Sequence, residues 1–332
     1  MSDARALPEA TKAVVCLLGL AGLVVLYFII PDPQEVYYQD VVLPDDVSFA
    51  SSRIWDRSGL QWLVQSGKHV SLEKQLPDRI ASRHKFIVLV HGHEAPQSMI
   101  ASYFTGLIDY YRSVAGDEHH VIVYDWTSVD PFYYRAIGKA ESRDQASKLH
   151  ALCAGSPTCA SDIVGRWRLA SYGVDRSYAE LSGARGLAEL LRLLKRDATI
   201  AVDIVGHSMG CLVIVEAMKN DPDVFSGVRN IILLAPDVSS DMFDDSALRA
   251  ALSGVNSLQV FYSGNDHILR ALSAVANWRY RLGSSGPTGE LPLPANVMTR
   301  NVTDTFGTDA LVHSRYVTRE GAVLMELSNL LR

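Results

Sequence analysis

The sequence predicts an α/β fold, a mainly parallel sheet with helices on both faces, and two observations carry that expectation. Short apolar runs recur from residue 85 onward, and helix-like stretches separate them. Runs that are apolar throughout suit strands buried on both faces, and parallel strands need a crossover between them. The 332 residues are enough for one large domain with a sizeable core. A composition of 48% hydrophobic and 20% charged residues removes disordered, collagen-like and disulfide-scaffold classes. The net charge of −6, with no stripe dense in Lys and Arg, argues against a nucleic-acid partner.

Residues 1–12 form a short N-terminus, and Ala13–Ile30 follows as eighteen residues without a charge. A run of that length spans a bilayer as a helix whose backbone satisfies its own hydrogen bonds. A cleaved signal peptide has a shorter apolar region and a small-x-small site, whereas this run ends Tyr27-Phe28-Ile29-Ile30-Pro31. Val15 stands where a lipoprotein signal would carry a small residue before Cys16. The expectation is therefore an uncleaved, single-pass membrane anchor. Arg5 and Lys12 precede it, while Asp32, Glu35, Asp40, Asp45 and Asp46 follow before Arg53. The positive-inside tendency then leaves the N-terminus in the cytoplasm and the main domain on the other side, periplasmic in a bacterium.

Residues 31–52, acidic and containing several prolines, read as a linker to a domain over 53–332. Leu60-Gln-Trp62-Leu-Val64-Gln alternates as an edge hairpin would. Six strands are expected at Phe86–Val90, Val121–Tyr124, Ile200–Val205, Ile231–Leu234, Leu258–Tyr262 and Val297–Val302. Helices are expected over 97–115, 176–196, 209–220, 240–253, 266–282 and 320–331. The interval 127–175 breaks this rhythm. A connection so long carries structure of its own and often covers a site, so it reads as an insertion or cap where substrate choice is decided. Cys153 and Cys159 lie in it, spaced so that an oxidising compartment would allow a bridge. The four cysteines include no C-x-x-C pair, so neither a zinc ribbon nor a thioredoxin-like centre is expected.

The chemistry concentrates in Val205-Gly206-His207-Ser208-Met209-Gly210-Cys211, set between an apolar run and an amphipathic stretch. G-x-S-x-G is weak alone, but a strand before it and a helix after it form the context of a nucleophile elbow. The serine occupies a strained turn, and its neighbours at −2 and +2 must lack side chains where backbones pack closely. Here the chain resembles the α/β-hydrolase superfamily, its lipases and esterases in particular, over about residues 85–332. The segments Tyr178-Ala-Glu-Leu-Ser182, Leu187–Leu191 and Leu234-Ala-Pro236-Asp237-Val238 resemble an uncharacterised branch with no assigned substrate.

That resemblance implies an α/β-hydrolase fold and a nucleophile, acid and base in that chain order. Of ten histidines only His267 and His313 follow Ser208 by enough. His313, beyond the last expected strand, stands where the family keeps its base, and His267 is expected near the site mouth without a catalytic role. Asp266, after the penultimate strand, matches the usual acid position; it would also suit a helix N-cap. Asp237, one strand earlier, is the alternative acid. The resemblance further makes the backbone amides of Met209 and of His93, in Val90-His91-Gly92-His93-Glu94, the oxyanion donors. His91, His93 and Glu94 could be read as metal ligands, but no Asp or His follows them closely and no H-E-x-x-H occurs. No metal and no cofactor is expected.

The sequence therefore leads to a membrane-anchored serine hydrolase acting on a small ester or lipid, with Ser208, Asp266 and His313 as its triad. The preference for esters is analogy with the superfamily. A non-catalytic membrane-tethered scaffold, a peptidase and an acyltransferase are the alternatives.

Overall fold

The computed structural model describes residues 47–51, 84–93, 119–126, 172, 175–195, 200–273, 277–307, 312–317 and 323. The anchor at 13–30, the hairpin at 60–65, the helix at 97–115, the two insertion cysteines and most of 127–175 and 320–331 lie outside them. Among the described residues no helix is long and apolar enough to cross a membrane.

Among the described residues seven strands form one parallel sheet: β1 (Val47–Ser51), β2 (Lys85–Val90), β3 (His119–Asp125), β4 (Ala201–His207), β5 (Asn230–Leu234), β6 (Ser257–Tyr262) and β7 (Val297–Asn301). Their order is β1-β3-β2-β4-β5-β6-β7, so β4 lies in the middle, hydrogen-bonded on both sides. All six expected strands are present. The seventh, β1, occupies the end of the segment read as linker and pairs Val47 with Val121 through Ser51 with Asp125.

Side chains alternate across the sheet and divide the core in two. Val88, Val90, Ile204, Ile231, Leu233 and Val260 face one layer, with α1 (Ala188–Leu194), α2 (Gly210–Asn220) and α3 (Ser246–Leu252) contributing to it. Ile87, Leu89, Val205, Ile232, Leu234 and Phe261 face the other, which holds Leu269, Phe306, Val312, Tyr316 and Val317. Two of the expected helices are shorter and broken. Over 240–253 the chain makes a single 3-10 turn, Met242–Asp244, and then α3, because the Asp245 carboxylate caps the amides of Ala247 and Leu248 and starts a new helix. Over 266–282, Ile268–Ser273 is π-helical, Asn277 is helical, and α4 (Leu282–Ser285) follows. Trp278 at φ 55° and Arg281 in extended conformation separate Asn277 from α4.

Candidate active site

Ser208 follows the last residue of β4 and has φ 54°, a left-handed conformation that a serine rarely adopts. Its amide donates to Leu234 O at 2.9 Å, while its carbonyl accepts from the amides of Cys211 and Asp237 at 3.1 and 3.0 Å. Those bonds hold the turn against β5. The glycines on either side have the close contacts that the sequence pattern implied. A Cβ on Gly206 would lie 2.6 Å from the Ile214 Cδ1 atom. One on Gly210 would lie 2.3 Å from His91 O and 2.5 Å from Val90 O, so α2 begins directly against the loop leaving β2. Gly210→Ala forces these backbones apart. The expected result is a loss of about 1–3 kcal/mol in a denaturant titration, with a disturbed serine turn as its local consequence.

Asp266 closes the turn after β6 and is fully buried. Its Oδ1 accepts from the Leu269 amide at 3.1 Å and its Oδ2 accepts from His313 Nδ1 at 2.7 Å. Asp266 thus caps the following turn and orients a histidine. Neighbouring bonds brace it: Gly264 N donates to Thr303 Oγ1 at 2.7 Å, and Asn265 Nδ2 to Gly307 O at 2.6 Å. His313 lies in the described helical residues α6 (Val312–Arg315), following α5 (Thr303–Phe306). Val312, Tyr316 and Val317 bury one side of this segment against the sheet, leaving the imidazole beside the serine turn. His313 Nε2 is 2.9 Å from Ser208 Oγ. With the ring proton on Nδ1 facing the Asp266 carboxyl oxygen, Nε2 accepts from the serine hydroxyl. Ser208, His313 and Asp266 form one hydrogen-bonded chain.

Asp237 is placed elsewhere. Its Oδ1 accepts from Arg281 Nε at 2.7 Å and its Oδ2 from the Tyr172 hydroxyl at 2.6 Å. Arg281 also donates to the Asp237 carbonyl. Both charged side chains are almost completely buried, 3% exposed each, so the pair is structural in its setting. Asp237→Ala strands the guanidinium in the interior. A loss of about 3–5 kcal/mol in unfolding free energy is expected.

Met209 is buried, and among the described residues its amide has no hydrogen-bond acceptor. It points from the start of α2, where partial positive charge collects. His93 stands in the loop beside Gly210, and its Nε2 lies 2.7 Å from Asp175 Oδ2. Its ring also lies 5.8 Å from that of Tyr172. Tyr172 and Asp175 close the long interval before α1, so that interval ends against both the His93 loop and Asp237. His91 is a core residue: its ring stacks on Trp126 at 5.4 Å, and Trp126 Nε1 donates to its carbonyl at 2.8 Å. His267 is exposed. Among the described residues no three His, Cys, Asp or Glu side chains converge as a metal site.

His207 escaped the sequence reading because it precedes the nucleophile and its partner is 106 positions away. Burial pushes its imidazole well below the ordinary histidine value, and the charge of His313 adds to this, against a smaller opposing effect from its bond to the His313 carbonyl. The unfolded chain therefore binds more protons at this residue than the folded one. Its contribution destabilises the fold progressively as pH drops below about 6.5 and vanishes above it.

No curated protein matches the chain. The family model described as alpha/beta hydrolase of unknown function (DUF900) matches residues 68–329. With the parallel sheet and the strained serine turn at the end of its central strand, that match over most of the chain makes the protein a member of this alpha/beta hydrolase family.

Proposed function

We propose that the protein is a membrane-anchored serine hydrolase that cleaves carboxylic esters, a small ester or a lipid, through an acyl-enzyme. The observation that carries the reading is the chain Ser208 Oγ, His313 Nε2, His313 Nδ1, Asp266 Oδ2, with contacts of 2.9 and 2.7 Å. Ser208 Oγ attacks the ester carbonyl carbon while His313 Nε2 takes the hydroxyl proton. Asp266 stabilises the imidazolium that forms. The amides of Met209 and His93 receive the developing oxyanion, each worth about 3 kcal/mol in the transition state. As the carbon–oxygen bond to the alcohol breaks, His313 returns the proton to the leaving oxygen. Water, deprotonated by the same imidazole, then attacks the acyl-serine, releasing the acid and restoring Ser208. Acyl transfer to another acceptor uses the same residues, with that acceptor in place of water.

The anchor rests on the uncharged run Ala13–Ile30 and its flanking charges, which put the catalytic domain on the non-cytoplasmic side. The test of the activity is a series of p-nitrophenyl esters of graded acyl length. A nitrophenol burst approaching one equivalent, followed by slower turnover, is expected for at least one acyl length. Folded protein that releases no nitrophenol above buffer with any of them, while cleaving peptides, makes the peptidase reading the better one.

A further inference from the structure

We infer that His207 is a positioning residue for the Ser208–His313 pair, its Nε2–H tying the backbone carbonyl of His313 to the strand end that carries the nucleophile. The inference rests on the serine-hydrolase reading above. His207 is the last residue of β4 and is 1% exposed. Its Nε2 lies 2.7 Å from His313 O, and the two rings are 4.9 Å apart at 45°. On its other side the ring of Tyr316 lies 6.4 Å away, and Tyr316 in turn packs edge-on against Phe306 at 4.8 Å. His207 is therefore held in the layer under α6.

The segment that carries the base needs such a tie. The described helical residues around the base, Val312–Arg315, are followed by a turn at Tyr316 and Val317, so the base sits near a helix end where few backbone bonds hold it. Apolar packing through Val312, Tyr316 and Val317 sets the segment's depth on the sheet. It leaves open the sliding and rotation that carry Nε2 toward or away from Ser208. The bond from His207 removes that freedom and closes a ring: peptide from His207 to Ser208, hydroxyl to the His313 imidazole, and His313 carbonyl back to the His207 imidazole. Both ends of the nucleophile–base contact are thereby referred to the central strand of the sheet. A displacement of about 1 Å at such a contact costs roughly 100-fold in rate.

The donor also has to be neutral. When His313 becomes imidazolium during attack, a second charge 4.9 Å from it would oppose the transition state. Burial keeps His207 uncharged, so it supplies the hydrogen bond without the repulsion. An ammonium or guanidinium at this position would supply both.

The test compares His207→Gln with His207→Leu. The glutamine amide is neutral and reaches about where imidazole Nε2 does, whereas leucine fills the space without a donor. Melting curves first establish that each variant is folded. The expected result is a fall in kcat of about 10–100-fold in His207→Leu with KM little changed, and recovery of most of it in His207→Gln. Amide hydrogen exchange over 312–317 is expected to quicken in the leucine variant and return toward wild type in the glutamine variant. Equal kcat in wild type and His207→Leu, or equal losses in both variants, overturns the positioning role. Unchanged exchange over 312–317 in His207→Leu overturns the tie whether or not the protein hydrolyses esters. Quickened exchange in His207→Leu, where the wild type itself shows no turnover, leaves the tie standing and counts against the hydrolase reading instead.

Discussion

Ser208→Ala is expected to leave a folded protein whose ester turnover is about 10⁴–10⁶-fold below wild type in kcat. The substitution removes a single oxygen at the end of β4. It leaves in place the backbone bond to Leu234 O and those from the Cys211 and Asp237 amides, because all three involve the backbone of residue 208. Alanine tolerates φ 54° about as poorly as serine, so little strain is added or relieved. Folding stability is therefore expected to stay within about 1 kcal/mol, which separates loss of chemistry from loss of structure. A residual rate over water is expected from the oxyanion amides and substrate binding alone. Steady-state kinetics beside a melting curve checks both halves. Turnover that survives at wild-type rate in a folded Ser208→Ala protein would show that another group performs the attack.

The second large effect is expected from Asp266→Asn, a fall in kcat of about 10⁴-fold with the fold retained. Asparagine keeps an oxygen that can cap the Leu269 amide, so the turn after β6 persists. The loss is in the imidazole. An amide NH₂ facing His313 favours the tautomer with the proton on Nε2, and that ring nitrogen then has no lone pair for the Ser208 hydroxyl. The imidazolium also loses its neighbouring negative charge. The contrast with Asp237→Ala is diagnostic. Removal of Asp237 is expected to act mainly on unfolding free energy through Arg281, whereas Asp266→Asn acts mainly on kcat. The pair of variants, read by denaturant titration and by turnover, discriminates the two carboxylates that sequence order alone left open.

Particular residues show why some of this was legible and some was not. Five of the six expected strands, β2 to β6, are largely buried on both faces, so they carry apolar runs such as Ile87-Val88-Leu89-Val90, whereas β7 at the sheet edge is mostly exposed. Val47-Ser-Phe-Ala-Ser51 has no such run and sits among prolines and acids, so its pairing with β3 is decided by the sheet and leaves little local trace. The helical residues expected over 266–282 stop at Asn277, where the turn at Trp278 and the ion pair of Arg281 with Asp237 outweigh local propensity. At the site, Gly206 and Gly210 advertise the serine turn because close backbone approach excludes a Cβ, a constraint that shows directly in residue type. The choice between Asp266 and Asp237 depends on which carboxylate meets a histidine about fifty positions later and which meets an arginine. Tyr172 and Asp175 become visible as neighbours of Asp237 and His93 only when the chain is folded. His207 is the same kind of case: between two glycine-flanked motif positions it reads as filler, and its partner is supplied by tertiary packing.

The most direct measurement is reaction of folded full-length protein with a fluorophosphonate, followed by intact-mass analysis and mapping of the modified peptide. The account predicts one adduct per chain, on Ser208, slowed strongly by His313→Ala and absent from Ser208→Ala. An unmodified wild-type protein, or an adduct on any other residue, would contradict it.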